Sequence, residues 1–275
     1  ATETNGDLLY DNDDRVTTRY SLLLTGTGLI DSLTIANRGR VQITPTTFEG
    51  PLVFTEVVRT SGSSVISIAD GSQVEFAPGT TSLEISGGST AVFGAGSAVT
   101  APGIRISGAN SQLRTEIDLA YSLPELVVES GGILTVGGTA TLDLDVFDAQ
   151  NIQGGTVVVS NEARLRVASG EVTVPIGVTL RLDGTLGSAG GNLSTMTVLG
   201  ALTHSDHPTN DGAGLVLTVD GTLELVGDIQ VSNKGLLGGR APTPYLGETY
   251  NEAGVVEELV PEGYGASHGG AGGRM

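Results

Sequence analysis

One strand phrase keeps returning along this chain of 275 residues, and it constrains the fold more than any other feature. The phrase is a short apolar run, often β-branched, closed by Gly, Asn or Asp. Ser64-Val65-Ile66-Ser67-Ile68 ends in Asp70-Gly71, Leu83-Glu84-Ile85-Ser86 in Gly87-Gly88, and Ile104-Arg105-Ile106-Ser107 in Gly108. Glu125-Leu126-Val127-Val128-Glu129, Thr156-Val157-Val158-Val159-Ser160, Val178-Thr179-Leu180-Arg181-Leu182 and Leu215-Val216-Leu217-Thr218-Val219 follow. Secondary phrases lie between them, such as Val74-Glu75-Phe76 and Ile133-Leu134-Thr135-Val136, with the alternation of a strand that buries one face. A strand repeat of this kind predicts a solenoid.

The spacing favours coils over hairpins. Ile68 to Ile85 is 17 residues, Ile85 to Ile106 is 21 and Ile106 to Val128 is 22. Three short strands and three turns need roughly 20 residues. The expected fold is therefore all-β, a right-handed parallel β-helix with coils of that length. Composition agrees. Aromatics are 4% and Trp is absent, which suits a narrow interior filled by Val, Ile, Leu and Thr. Glycine, at 42 residues, clusters after strands, where positive φ is wanted.

The organisation predicted is a polar lead-in or cap over 1–19, a parallel β-helix over 20–235, and a Gly/Pro/Tyr-rich loop or linker over 236–275. Residues 45–62 are read as a longer coil or a small insertion. The chain opens Ala1-Thr2-Glu3, as a processed secreted protein does, and is expected to be a segment of something longer.

Net charge is −18, which argues against nucleic acid or an anionic membrane as partner. No apolar run reaches the ~18 residues of a membrane span. Cysteine is absent, so neither disulfides nor thiol catalysis enter.

Leu199-Gly200-Ala201-Leu202-Thr203-His204-Ser205 and Gly214-Leu215-Val216-Leu217-Thr218-Val219-Asp220-Gly221-Thr222-Leu223 resemble segments of very large bacterial surface or secreted proteins with parallel β-helix arrays. Gly227-Asp228-Ile229-Gln230-Val231-Ser232 and the Gly-rich insertion Ser267-His268-Gly269-Gly270-Ala271-Gly272-Gly273 share that character. The resemblance covers about residues 125–275, and the first half by style. It implies a parallel β-helix with an extracellular or cell-surface, adhesin-like or stalk role; it does not imply an enzyme, and none is expected. The partners expected are other segments of the same or a longer chain, with glycans or a surface protein as outside contacts.

Three clusters could carry chemistry. Leu142-Asp143-Leu144-Asp145-Val146 puts two carboxylates on one strand face, a pattern that serves Ca²⁺ binding or glycoside cleavage. Arg164-Leu165-Arg166-Val167 follows one predicted coil later. That places Asp143 beside Arg164 and Asp145 beside Arg166, as an ion-pair ladder that fixes register, with Arg114, Glu116 and Asp118 extending it. Asp11-Asn12-Asp13-Asp14 offers Asp11, Asp13 and Asp14 as a Ca²⁺-like cluster, though it lacks the glycine and terminal Glu of an EF-hand loop. The alternative is a solvated lead-in. His204-Ser205-Asp206-His207 is the only local His pair, and His268 would complete a metal site if the tail folds back. A polar turn explains the pair as well. Cofactors are expected to be none, with Ca²⁺ as the exception to consider. No Gly-x-Ser-x-Gly turn joins a strand to a helix, so a Ser-His-Asp hydrolase is not supported.

The expected function is a structural extracellular segment, rod or spacer with a capacity for attachment. A polysaccharide-cleaving β-helix enzyme and a phage or viral fibre segment are the alternatives.

Overall fold

The computed structural model of the chain describes residues 6–23, 29–45, 50–77, 82–100, 103–121, 126–205, 215, 217–230, 247–250 and 256–260. Their contacts divide into two units, one of residues 1–202 with 217–228, the other of 203–216 with 229–275. The first unit is a parallel β-solenoid of about eight turns, with no helix among the described residues.

One long sheet runs through it. Its strands are Ser21–Leu23, Arg40–Ile43, Val65–Ile68, Thr90–Phe93, Gln112–Thr115, Ile133–Val136, Gly155–Val159 and Val178–Leu182, and it continues into Ala201–Thr203. A six-stranded sheet, Asp7–Asp11, Ser32–Ala36, Val58–Thr60, Leu83–Ile85, Ile104–Ile106 and Leu126–Val128, makes the face that precedes it in each coil. The third face begins as Leu29–Ile30, Leu52–Phe54, Gln73–Phe76 and Ala98–Thr100, and resumes as Leu119–Tyr121, Thr141–Leu144, Arg164–Val167 and Thr185–Ser188.

The coil averages about 23 residues, longer than the roughly twenty predicted. The reason lies in which positions are equivalent. Ile68 pairs with Phe93 in the long sheet, whereas Ile85 pairs with Thr60 and Ile106 in the six-stranded sheet. The 17-residue step from Ile68 to Ile85 therefore crosses from one face to another within a coil.

Alternation selects what each strand buries. Val41, Ile66, Ala91, Leu113, Leu134, Val157 and Leu180 are in register on successive coils, and all are buried. Ile43, Ile68, Phe93, Thr115, Val136, Val159 and Leu182 form the second inward row. On the third face Phe54 and Phe76 stack in register, ring centres 5.3 Å apart.

The corner between the six-stranded and long sheets is a stack of turns with two successive left-handed residues. Asn37 and Arg38 have φ of 51° and 64°, Gly62 and Ser63 of 64° and 58°, Gly87 and Gly88 of 59° and 76°. Arg38 N donates to Gly62 O and Ser63 N to Gly87 O, so each turn satisfies the next. Beneath them Ser64, Ser89 and Ser111 are fully buried one above another. The Ser64 hydroxyl donates to Ser61 O at 2.6 Å, Ser89 Oγ accepts from Ser64 N at 3.1 Å and Ser111 Oγ from Gly88 N at 3.0 Å. Further along the corner only glycine fits at position 155, where φ is +83° and a Cβ would run into the Gly132 carbonyl.

The first face breaks after Val128. The next coil contributes no strand to it, only the bridges Val128↔Ile152 to the coil before and Phe147↔Val172 to the coil after. It then resumes as a three-stranded sheet, Glu171–Val174, Leu193–Val198 and Val219–Leu225. Buried Asn151 ties down the intervening loop, donating to Val146 O at 2.7 Å and accepting from Asp148 N at 3.1 Å.

In the second unit Gly247–Tyr250 pairs antiparallel with Val256–Val260. The Gly-rich segment after residue 260 lies outside the described residues. No helix among the described residues is long and apolar enough to cross a membrane.

Candidate functional site

The side chains with most chemical capacity gather on the outward side of the third face. Thr141–Leu144 turns Leu142 and Leu144 into the core and leaves Asp143 outward. Arg164–Val167 does the same with Leu165, Val167 and Arg166. The register sets Asp143 opposite Arg166 and Thr141 opposite Arg164. The predicted partners are thus displaced by two residues, because the step between these coils is 23 residues where 21 was expected.

The bond that results is bidentate. Arg166 Nε donates to Asp143 Oδ1 and Nη2 to Oδ2, each at 2.6 Å. Both side chains remain about two-fifths exposed. The hydrogen bond to Asp143 raises the Arg166 pKa above its ordinary value, and the charges of Asp143 and, more weakly, Asp118 add to this. A raised pKa in a basic group gives a contribution that is complete below the unfolded value and lost only on passing the folded one, far into alkali. The arginine therefore stays charged throughout the physiological range.

Small residues flank the pair in the same column, with Ala120 on one side and Gly187 on the other. An open cleft of about 270 Å³ lies beside the pair, and its walls include Ala120, Tyr121, Asp143, Asp145, Arg166 and Ala168. Asp145 lies just past its strand. Its backbone N donates to Tyr121 O, and its carbonyl accepts from Ser169 N. Its carboxylate borders the cleft without joining the Asp143–Arg166 bond. Arg114, foreseen as an extension, sits instead on the long sheet and bonds Glu116 at 2.6 Å. The Asp118 carboxylate accepts from Thr141 N at 2.7 Å.

A second set of pairs on the six-stranded sheet escaped the sequence reading. Arg59, Glu84 and Arg105 occupy one outward column on successive coils. Arg59 bonds Glu84 at 2.7 Å, and Arg105 bonds Glu129 on the next coil at 2.6 Å. Aligning Val58-Arg59-Thr60, Leu83-Glu84-Ile85 and Ile104-Arg105-Ile106, each a charge between inward residues, would have exposed the column.

The Asp11, Asn12, Asp13, Asp14 run forms the first of the stacked turns. Asp13 and Asp14 have φ of 51° and 56°. The Asp11 carboxylate accepts from Asp13 N at 2.8 Å and from Asn37 Nδ2 at 3.1 Å, and Asp14 N donates to Asn37 O. The His204 ring is buried, with Nδ1 2.7 Å from Ser205 O. His207 and His268 lie outside the described residues. Among those described, no three His, Asp or Glu side chains group as metal donors.

Comparison with protein-family models, curated proteins and solved structures gives no match to the chain.

Proposed function

We propose that this chain is a structural β-solenoid segment of a larger cell-surface or secreted adhesin-like protein, acting as a spacer that offers its outer faces for attachment. One observation carries the reading. The most enzyme-like carboxylate, Asp143, is held by both its oxygens to Arg166. Bidentate binding engages one lone pair on each oxygen and fixes the carboxylate to the neighbouring coil, which suits a register device better than a group that must meet a substrate proton. The pairs Arg59–Glu84 and Arg105–Glu129 also tie successive coils together, each through one carboxylate oxygen. Strong acidity accords with an exposed, soluble surface.

The reading of a different class, a polysaccharide-cleaving enzyme, has the 270 Å³ cleft as its natural location. An assay of acidic and neutral polysaccharides with the intact protein separates the two. The spacer reading expects no new reducing ends or unsaturated products. Turnover that disappears in Asp143→Ala, while the variant stays folded, would overturn it.

A further inference from the structure

Beside the column of Asp143 and Arg166 runs a second one that lacks its counter-charge. Continuing the register Asp143↔Arg166, Leu144↔Val167 by one residue sets Ala168 opposite Asp145, and Ala168 N donates to Leu144 O as that register requires. Continuing Val167↔Ser188 sets Ala189 opposite Ala168. Asp145 thus meets alanine where Asp143 meets arginine. Asp145, Ala168 and Ala189 are all exposed, and the Asp145 carboxylate makes no hydrogen bond or ion pair among the described residues.

Elsewhere the equivalent rung is filled. Arg59 bonds Glu84, Arg105 bonds Glu129 and Arg166 bonds Asp143, each between successive coils. The unmatched acid lies in the cleft of about 270 Å³, whose walls bring Ala120, Ala168 and Ala189 around Asp143, Asp145 and Arg166. Arg166 is the one cation among the lining residues, and both oxygens of Asp143 already hold it. One negative charge is left over in a hollow with short apolar walls. The volume is below the ~300 Å³ at which pockets for drug-sized ligands begin, and it suits a single side chain. A metal ion finds too few donors there, since no three His, Asp or Glu side chains group among the described residues. A guanidinium meets the requirements: it is planar, permanently charged and weakly hydrated, on a stem that packs against alanine. A net charge of −18 attracts basic partners, and the cleft gives one of their side chains a place to seat.

We propose that this cleft receives an arginine side chain of a basic partner polypeptide, its guanidinium on Asp145 and its methylenes against Ala168 and Ala189. The partner thereby completes the rung that the next coil leaves out. The inference rests on the structural reading above, in which the outer faces serve attachment; polysaccharide turnover tests that reading by a separate measurement.

The experiment titrates the intact, isotope-labelled chain with the peptide Ser-Gly-Arg-Gly-Ser, blocked at both ends, and with the same peptide carrying citrulline, the neutral isostere of arginine. Amide shifts in two-dimensional NMR locate the contact. The arginine peptide should shift the amides of residues 143–145 and 166–168 and bind at least tenfold more tightly than the citrulline peptide. Asp145→Asn should abolish that preference. So should Ala168→Arg, which supplies the rung from within. Glu162→Gln, which removes an exposed acid from a turn outside the cleft, should keep it. Equal binding of the citrulline peptide, shifts elsewhere, a preference that survives Asp145→Asn or a folded Ala168→Arg, or an equal loss in Glu162→Gln would overturn the proposal.

Discussion

The smallest features of this fold to carry a specific function are three buried hydroxyls. Ser64, Ser89 and Ser111 lie where the chain turns from the six-stranded to the long sheet. There the turns direct backbone N–H groups inward, and a hydroxyl both fits and accepts. Replacing Ser89 with Ala would leave Ser64 N without the acceptor it now has. An orphaned buried donor costs about 1–3 kcal/mol. Urea unfolding of Ser89→Ala should show a lower midpoint with an unchanged slope, since the surface exposed on unfolding is the same. An unchanged midpoint would mean that water or a neighbouring group replaces the hydroxyl at no cost.

At the scale of the strand, inward and outward positions obey different energetics. Phe93 fills the second inward row of the long sheet between Ile68 and Thr115 and is fully buried. Phe93→Ala should cost about 3–5 kcal/mol through lost burial and the cavity left behind. Arg59→Ala removes an exposed pair with Glu84 and should cost no more than about 1 kcal/mol. Thermal melts of the two variants side by side test this ranking, and a larger loss for Arg59→Ala would contradict it. The same division explains what was legible beforehand. Inward alternation is written in runs such as Val65-Ile66-Ser67-Ile68, so the parallel stack could be read directly. Register was not, because turns between faces vary in length and the apolar runs of different faces look alike. Ile68 and Ile85 were aligned although they belong to different sheets. That error shortened the coil and paired Asp143 with Arg164, whereas the backbone brings Asp143 to Arg166. The cleft was illegible for a related reason: Ala120, Asp143 and Arg166 line it as one column on successive coils, and a column cannot be drawn until register is known.

For the molecule as a whole, stacking makes stability a sum over neighbouring coils. A coil should therefore be removable, provided the cut respects the period. Ile66 and Ala91 are in register, so deleting residues 66–90 joins Val65 to Ala91 and restores a complete strand. The shortened chain should keep the β-sheet circular dichroism of the parent and melt at a somewhat lower temperature. Deleting residues 66–91 instead would move Val92 inward and Phe93 outward, the one-residue slip that inverts a strand. That variant should aggregate or lose cooperativity. If both deletions behaved alike, the register described above would not be what holds the coils together.

The interruption of the first face has a mechanical meaning. From Ser21–Leu23 to Val178–Leu182 the long sheet joins every coil to the next without a gap. The first face, between Val128 and Val172, has only two isolated bridges. Under a pulling force the hydrogen bonds of a continuous face share the load, and those at a gap do not. The coil that holds both Phe147 and Ile152 is thus fastened less evenly on this face than on the long sheet, and under load it would open on that side while the long sheet still holds as a hinge.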